Sequence, residues 1–299
     1  MESFYITAFT DHLSLERRLS LATAKSYAYD LYFFLNYIQE IYGEEAIEEA
    51  TPAMVRSWLA DGAESGLESR TLNRRVSALR TFFSFLMQIK AVEMSPMVLI
   101  SGFKLKKRIV RSLSKGEAEA LLNPALYEDG FVGVRNRLVI LTFYTLGIRR
   151  AELLSLTIKS IDLSQGIVRI VGKRNKERHL PLLPEWSQEA MKYMQLCDSM
   201  NRSLQEAFFI EENGKKMSRH RVYSIVHSYL QEVSSSEKAS PHVLRHTFAT
   251  HLMDMGADLS SIRSLLGHAS LAATQVYTHA SIEQLKKIVQ RTHPRGRGE

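Results

Sequence analysis

"SIDLSQGIVRIVGKRNKERHLPL", residues 160–182, decides the fold class. Three short extended segments are separated by Ser164-Gln165-Gly166 and by a polar tip over 172–177, the pattern of a small antiparallel meander. On both sides apolar residues return at helical spacing. The chain therefore reads as mainly α with a small antiparallel β-sheet.

Working outward, "YTLGIRRAELLSL" precedes the meander and turns Leu153 and Leu156 inward. "ASPHVLRHTFATHL" follows it, with Ser240 as a cap and Pro241 at the first helical position. Gly256 and Gly267 read as helix stops. The first hundred residues are helical throughout. One helix ends at Gly43, and another starts with Thr51 as cap and Pro52 after it. In "SRTLNRRVSALRTFFSFLMQIK", Leu72, Val76, Leu79, Phe83 and Leu86 form an apolar stripe. Arg70, Arg74, Ser77 and Thr81 form a second stripe, suited equally to phosphates or to solvent.

Pro96, Gly102 and the basic run Lys104, Lys106, Lys107, Arg108 mark a linker. "SLSKGEAEALL" then restarts a helix through a Ser114/Glu117 capping box. The expected organisation is a helical domain over 1–103, a basic linker over 104–111 and a second domain over 112–299. Such a linker suits a cationic strap across a duplex, and an ordinary solvated linker equally.

At 299 residues the chain is long enough for two buried cores. Its net charge of +7 points to a polyanionic partner, nucleic acid before an acidic membrane surface. Cys197 is the only cysteine, which excludes an intramolecular disulfide and suits a reducing compartment. The start "MESFYITAFTDHL" lacks the basic region of a secretory signal, and "LVILTFYTLGI" (138–148) is too short to span a bilayer. A cytoplasmic protein without membrane association is expected.

Several residues carry chemistry. Arg149 lies near a helix start, with Glu152 three residues on and placed to orient its guanidinium. Lys173 sits on the meander tip, either a mobile proton donor or a solvated hairpin lysine. His242 and Arg245 share a face near a helix N-terminus, where an anion is favoured. His242 and His246 are four apart, but Val243 stands where a zinc hydrolase needs Glu. No metal or other cofactor is expected, and His246 and His251 read as structural. His268 follows Gly267, and Tyr277 lies on the next expected helix. The chain carries no P-loop and no serine–histidine–aspartate logic. One phenol among cations and proton donors suits attack on a phosphodiester, whose non-bridging oxygens need clamping.

The segments "GIRRAEL", "GKRNKER", "HVLRHTFATHL", "LLGHASLAATQVYTH" and the tail "HPR" together resemble the tyrosine recombinases, or phage-integrase family, and most closely its bacterial Xer type. The resemblance spans nearly the whole chain. Arg150 departs from it, standing where an apolar or small residue is common.

The resemblance implies a helical, SAM-like core-binding domain and an α+β catalytic domain. Tyr277 would be the nucleophile, forming a 3′-phosphotyrosyl link and later a Holliday junction. Arg149 and Arg245 would clamp the phosphate, helped by His268. Lys173 would protonate the leaving 5′-oxygen, and His242 would assist proton removal from the tyrosine. Arg70, Arg74, Lys104, Lys106, Lys107 and Arg108 would face DNA. The implied partners are double-stranded DNA with a specific recombination site and a homo- or hetero-tetramer on two such sites. A second recombinase and an FtsK-type DNA translocase belong to the same picture, as do chromosome partition and cell division. The tail from Ser281, with Ile282, Leu285, Ile288 and Val289, would dock into a neighbouring subunit. The implied role is resolution of chromosome or plasmid dimers. The alternatives are a mobile-element integrase and a type IB topoisomerase.

Overall fold

A computed structural model of the chain describes residues 4–17, 19–44, 46–104, 111–172, 177–203, 207–234 and 239–267. The chain divides into two compact units, Met1–Arg108 and Ile109–Glu299.

The N-terminal unit comprises α1 (Phe4–Asp11), α2 (Leu21–Tyr42), α3 (Pro52–Glu64) and α4 (Ser69–Gln88). Gly43 closes α2 in the left-handed region at φ 70°, where a residue without Cβ is favoured. The Thr51 hydroxyl accepts the Met54 N–H at 3.3 Å, with Pro52 in the first turn of α3. The expected stripe on α4 is buried along its whole length and packs with Phe9, Phe34 and Trp58. Beneath it, Arg74 Nη1 bonds the buried Asp30 carboxylate at 2.7 Å, tying α4 to α2. Asn73 holds the chain leaving this unit by exchanging bonds with the Phe103 N–H and carbonyl, each at 2.9 Å.

In the C-terminal unit, α5 (Lys115–Leu122) begins with the expected capping box: Ser114 N–H donates to Glu117 at 2.7 Å, and Ser114 Oγ accepts the Glu117 N–H at 3.2 Å. Helix α6 (Phe131–Leu146) is buried on nearly every face, as its continuous apolar run requires. A short α7 (Arg150–Leu154) leads to the meander, β1 (Ile161–Asp162), β2 (Ile167–Val171) and β3 (Glu177–Pro181). The strands pair antiparallel in the order β1-β2-β3, with Ile161 opposite Val168 and Ile170 opposite Arg178. Asp162 Oδ1 accepts the Ser164 hydroxyl at 2.6 Å and the Gln165 N–H at 2.9 Å, which shapes the first turn.

Helices α8 (Pro184–Ser199), α9 (Arg219–Val233), α10 (Pro241–Asp254) and α11 (Leu259–Leu266) complete the described part of this unit. Ser240 takes the cap position of α10 in extended backbone, but its hydroxyl makes no capping bond. Asp258 does cap α11, accepting the Ser261 N–H at 2.8 Å. Among the described residues no helix is long and apolar enough to cross a membrane.

Candidate active site

The site is assembled where α6, α7, β3, α10 and α11 end or begin. Gly147 ends α6 at φ 57°, and a Cβ there would lie 2.3 Å from Phe248 Cδ1. Only glycine lets the chain turn this tightly against α10. The turn delivers Arg149 to the start of α7. Its N–H donates to Glu152 Oε2 at 2.8 Å, and its Nη1 donates to Glu152 Oε1 at 2.9 Å.

Arg245, on the second turn of α10, reaches the same place. Its Nη1 donates to the Gly147 carbonyl at 2.6 Å and its Nη2 to the Leu266 carbonyl at 2.7 Å. Its Nη1 also lies 4.0 Å from Glu152 Oε2. Arg149 Nη2 points to the Gly267 carbonyl at 3.5 Å. The end of α11 thus supplies acceptors to both arginines. Their exposures differ: the Arg245 side chain is 11% exposed and that of Arg149 is 40%, so Arg149 presents more of its guanidinium outward.

A third arginine completes the cluster. Arg178 on β3 donates Nη1 to Glu152 Oε1 at 3.1 Å and Nη2 to Glu152 Oε2 at 2.8 Å, while its Nε donates to the Leu265 carbonyl at 3.0 Å. Three guanidinium groups thus surround one buried carboxylate. Burial pushes the Glu152 carboxyl up, but the bonds and charge of Arg178 and the bonds from Arg149 outweigh it and hold it below the ordinary range. Burial and the neighbouring Arg149 push Arg245 down to about 10, so it remains cationic at neutral pH. An excess of positive charge at a partly open surface suits a phosphodiester.

His242 lies one turn before Arg245 on α10 and is exposed. His246 is exposed as well. His251 is buried: its Nε2 lies 2.9 Å from the Leu113 carbonyl and its Nδ1 3.0 Å from the Tyr144 hydroxyl. A carbonyl only accepts, so in the neutral ring Nε2 carries the proton and Nδ1 accepts from Tyr144. Thr247 accepts the Leu113 N–H at 3.0 Å, and together these bonds fix α10 to the start of the C-terminal unit.

Lys173, His268 and Tyr277 lie outside the described residues, as do Lys106, Lys107 and Arg108. In the N-terminal unit Arg70 and Lys104 are exposed, whereas Arg74 is half-buried and its Nη1 donates to Asp30 and to the Ser26 carbonyl. Sequence reasoning assigned no role to Arg178. The available signal was its position two residues before Leu180 on a strand with an inward face.

Residues 111–284 match the phage integrase family, and residues 6–90 match the phage integrase N-terminal SAM-like domain. The chain belongs to the phage integrase family, the tyrosine recombinases. Tyrosine recombinase XerC of Pelotomaculum thermopropionicum is 34% identical over 304 residues, covering 98% of this chain and 99% of its own. Tyrosine recombinase XerD of Yersinia pestis is 36% identical over 294 residues, covering 97% of each chain. Among solved structures, the XerH site-specific recombinase bound to palindromic difH substrate in a post-cleavage complex shares the fold, with a TM-score of 0.72 and 23% identity. That match covers 94% of this chain and 83% of XerH. Within the family, the chain is a Xer-type tyrosine recombinase, an enzyme of site-specific DNA recombination.

Proposed function

We propose that this enzyme binds duplex DNA at a specific recombination site and cleaves it through Tyr277, with Arg149 and Arg245 clamping the scissile phosphate. The Tyr277 oxygen forms a bond to phosphorus as the bond to the 5′-oxygen breaks, leaving a 3′-phosphotyrosyl link. His242 assists removal of the phenolic proton, Lys173 gives a proton to the leaving oxygen, and His268 supports the clamp. Attack by a 5′-hydroxyl of the partner duplex reverses these steps. One phosphoester replaces another, so no ATP is consumed.

The observation that carries this reading is the convergence of Arg149 and Arg245 on carbonyls at the end of α11, directly ahead of His268 and Tyr277. The other tyrosines of the C-terminal unit give it further support. Tyr127, Tyr144 and Tyr193 are tied into the interior, and Tyr229 packs on Tyr127 at 4.5 Å. Tyr223 is exposed but stacks on His227 at 5.4 Å.

Residues 1–103 serve as the core-binding domain, 104–111 as the linker and 112–299 as the catalytic domain. Arg70, Arg74, Lys104, Lys106, Lys107 and Arg108 face DNA phosphates. Four protomers act on two sites in the cytoplasm, linked by the C-terminal tail, and resolve chromosome or plasmid dimers. A second recombinase and an FtsK-type translocase are the partners that this role calls for. The near-complete coverage of Xer relatives supports this assignment.

The test is to denature cells expressing the enzyme, recover protein-linked DNA and sequence the attached ends. One recurrent sequence is expected, linked through its 3′ end. Tyr277→Phe keeps the DNA affinity and yields no adduct. An adduct that persists in this variant removes Tyr277 as nucleophile.

A further inference from the structure

We propose that Arg178 is a positioning residue for strand cleavage: it fills the acceptor sites of Glu152 and so keeps Arg245 free for the phosphate. This rests on the clamp reading of Arg149 and Arg245.

Arg178 lies on the inward face of β3 together with Leu180, where an apolar residue would ordinarily pack. A buried guanidinium is costly unless fully bonded. Here it is bonded on three sides, to both Glu152 oxygens and to the Leu265 carbonyl. It also packs on Gly267, where an added Cβ would come 3.1 Å from Arg178 Nη1.

Glu152 shows what the bonding achieves. A carboxylate accepts about four hydrogen bonds, two at each oxygen. Oε1 takes Arg149 Nη1 and Arg178 Nη1, and Oε2 takes the Arg149 N–H and Arg178 Nη2. The carboxylate is therefore full. Arg245, 4.0 Å away, donates to the Gly147 and Leu266 carbonyls instead. Those neutral acceptors orient its guanidinium without neutralising it. Without Arg178, both oxygens regain an open site within a short side-chain movement of Arg245. Arg245 would then turn onto Glu152, and the clamp would lose both its geometry and a free positive charge. Arg178 further joins three pieces of the site: β3, the start of α7 and the end of α11.

The experiment measures single-turnover formation of the covalent adduct on a nicked duplex of the sequence recovered by covalent capture, using the full-length enzyme. Arg178→Gln is expected to slow cleavage on the order of 100-fold, as misplacing a reacting group by about an ångström does, while duplex affinity is unchanged. Arg178→Lys restores the charge but cannot span both oxygens and the Leu265 carbonyl, so it recovers part of the rate. If Arg178→Gln fails to fold, the Lys variant decides alone.

Two readouts separate this role from a merely structural one. With a methylphosphonate at the scissile position, the substrate loses the negative charge that the clamp offsets, and the deficit of the Arg178 variant shrinks. In a Glu152→Gln background, Arg245 has no carboxylate to turn onto, and removing Arg178 costs little further rate. Wild-type cleavage by both Arg178 variants overturns the proposal. So does a deficit that is equal on methylphosphonate, or equal with and without Glu152. Arg149→Ala and Arg245→Ala are run alongside. If those two cleave normally, the clamp reading itself fails and takes this inference with it; if they are slow while the Arg178 variants are not, only the inference falls.

Discussion

Asp30 in the N-terminal unit and Glu152 in the C-terminal unit are both buried carboxylates bonded to arginine, yet they titrate in opposite directions. Their exposures are 2% and 4%, so burial does not distinguish them. Burial pushes Asp30 up to about 6, against the opposing charges of Arg74 and Arg75. Glu152 meets the same penalty and is nevertheless held low. The difference lies in the donors. A single side-chain donor, Arg74 Nη1, reaches Asp30, whereas the Glu152 oxygens accept two from Arg149 and two from Arg178. Protonation in an interior is set by how completely the charged form is bonded. Asp30 pins α4 to α2 and needs no fixed charge for that. Glu152 orders an arginine cluster and must stay ionised to do so.

Exchanging each acid for its amide is the sharpest way to break the contrast. Glu152→Gln leaves buried Arg178 facing an amide that cannot accept at both ends. Breaking a buried pair in this way costs about 3–5 kcal/mol, read as a large fall in the denaturation midpoint. A variant as stable as the parent would mean that the Glu152 bonds contribute nothing net. The next effect is kinetic. Arg149→Ala and Arg245→Ala each remove one preorganised donor and should slow adduct formation by about 10²–10³-fold. EDTA should leave the parent rate unchanged, and a strict requirement for a divalent ion would reassign the histidines.

The local features were legible in the sequence because local chemistry makes them. Gly43, Thr51 with Pro52, and Ser114 with Glu117 act within one turn of their own helices. The meander was legible from its turn residues, and Arg149 with Glu152 from their spacing on one short helix. Arg178 was not. Its partners stand 26 and 87 residues away, and only the tertiary fold brings them to it. The sequence places it in the third extended segment, just past the polar tip over 172–177, where a charged residue gives no sign that it turns inward. Asp30 was missed for the same reason: its partner Arg74 is 44 residues on, and the basic stripe on α4 gave no sign that one member turns inward.

The smallest expected effect is at Asp30, and its sign with pH is the informative part. Below the ordinary value of 3.8, the Asp30 carboxyl is protonated whether the chain is folded or not. Between there and about 6, the unfolded chain has released the proton while the folded chain still holds it. The folded state then binds more protons, so this group's contribution to stability falls as pH rises, and levels off above about 6. The slope cannot exceed about 1.4 kcal/mol per pH unit for one proton. An asparagine side chain does not titrate, so Asp30→Asn should gain on the parent from pH 4 to pH 7. Below the ordinary value of 3.8 the two should differ only by about one hydrogen bond, roughly 0.5–1.5 kcal/mol. The chain has two tryptophans, and Trp58 packs on Phe34 at 5.1 Å within the N-terminal unit. Urea unfolding followed by Trp58 fluorescence, with Trp186→Phe in both chains, reads that unit alone. If Asp30→Asn instead loses ground as pH rises, Asp30 is an ordinary ionised partner of Arg74. Its single bond would then hold a charge as well as the four donors at Glu152 do, and donor number could no longer explain the contrast.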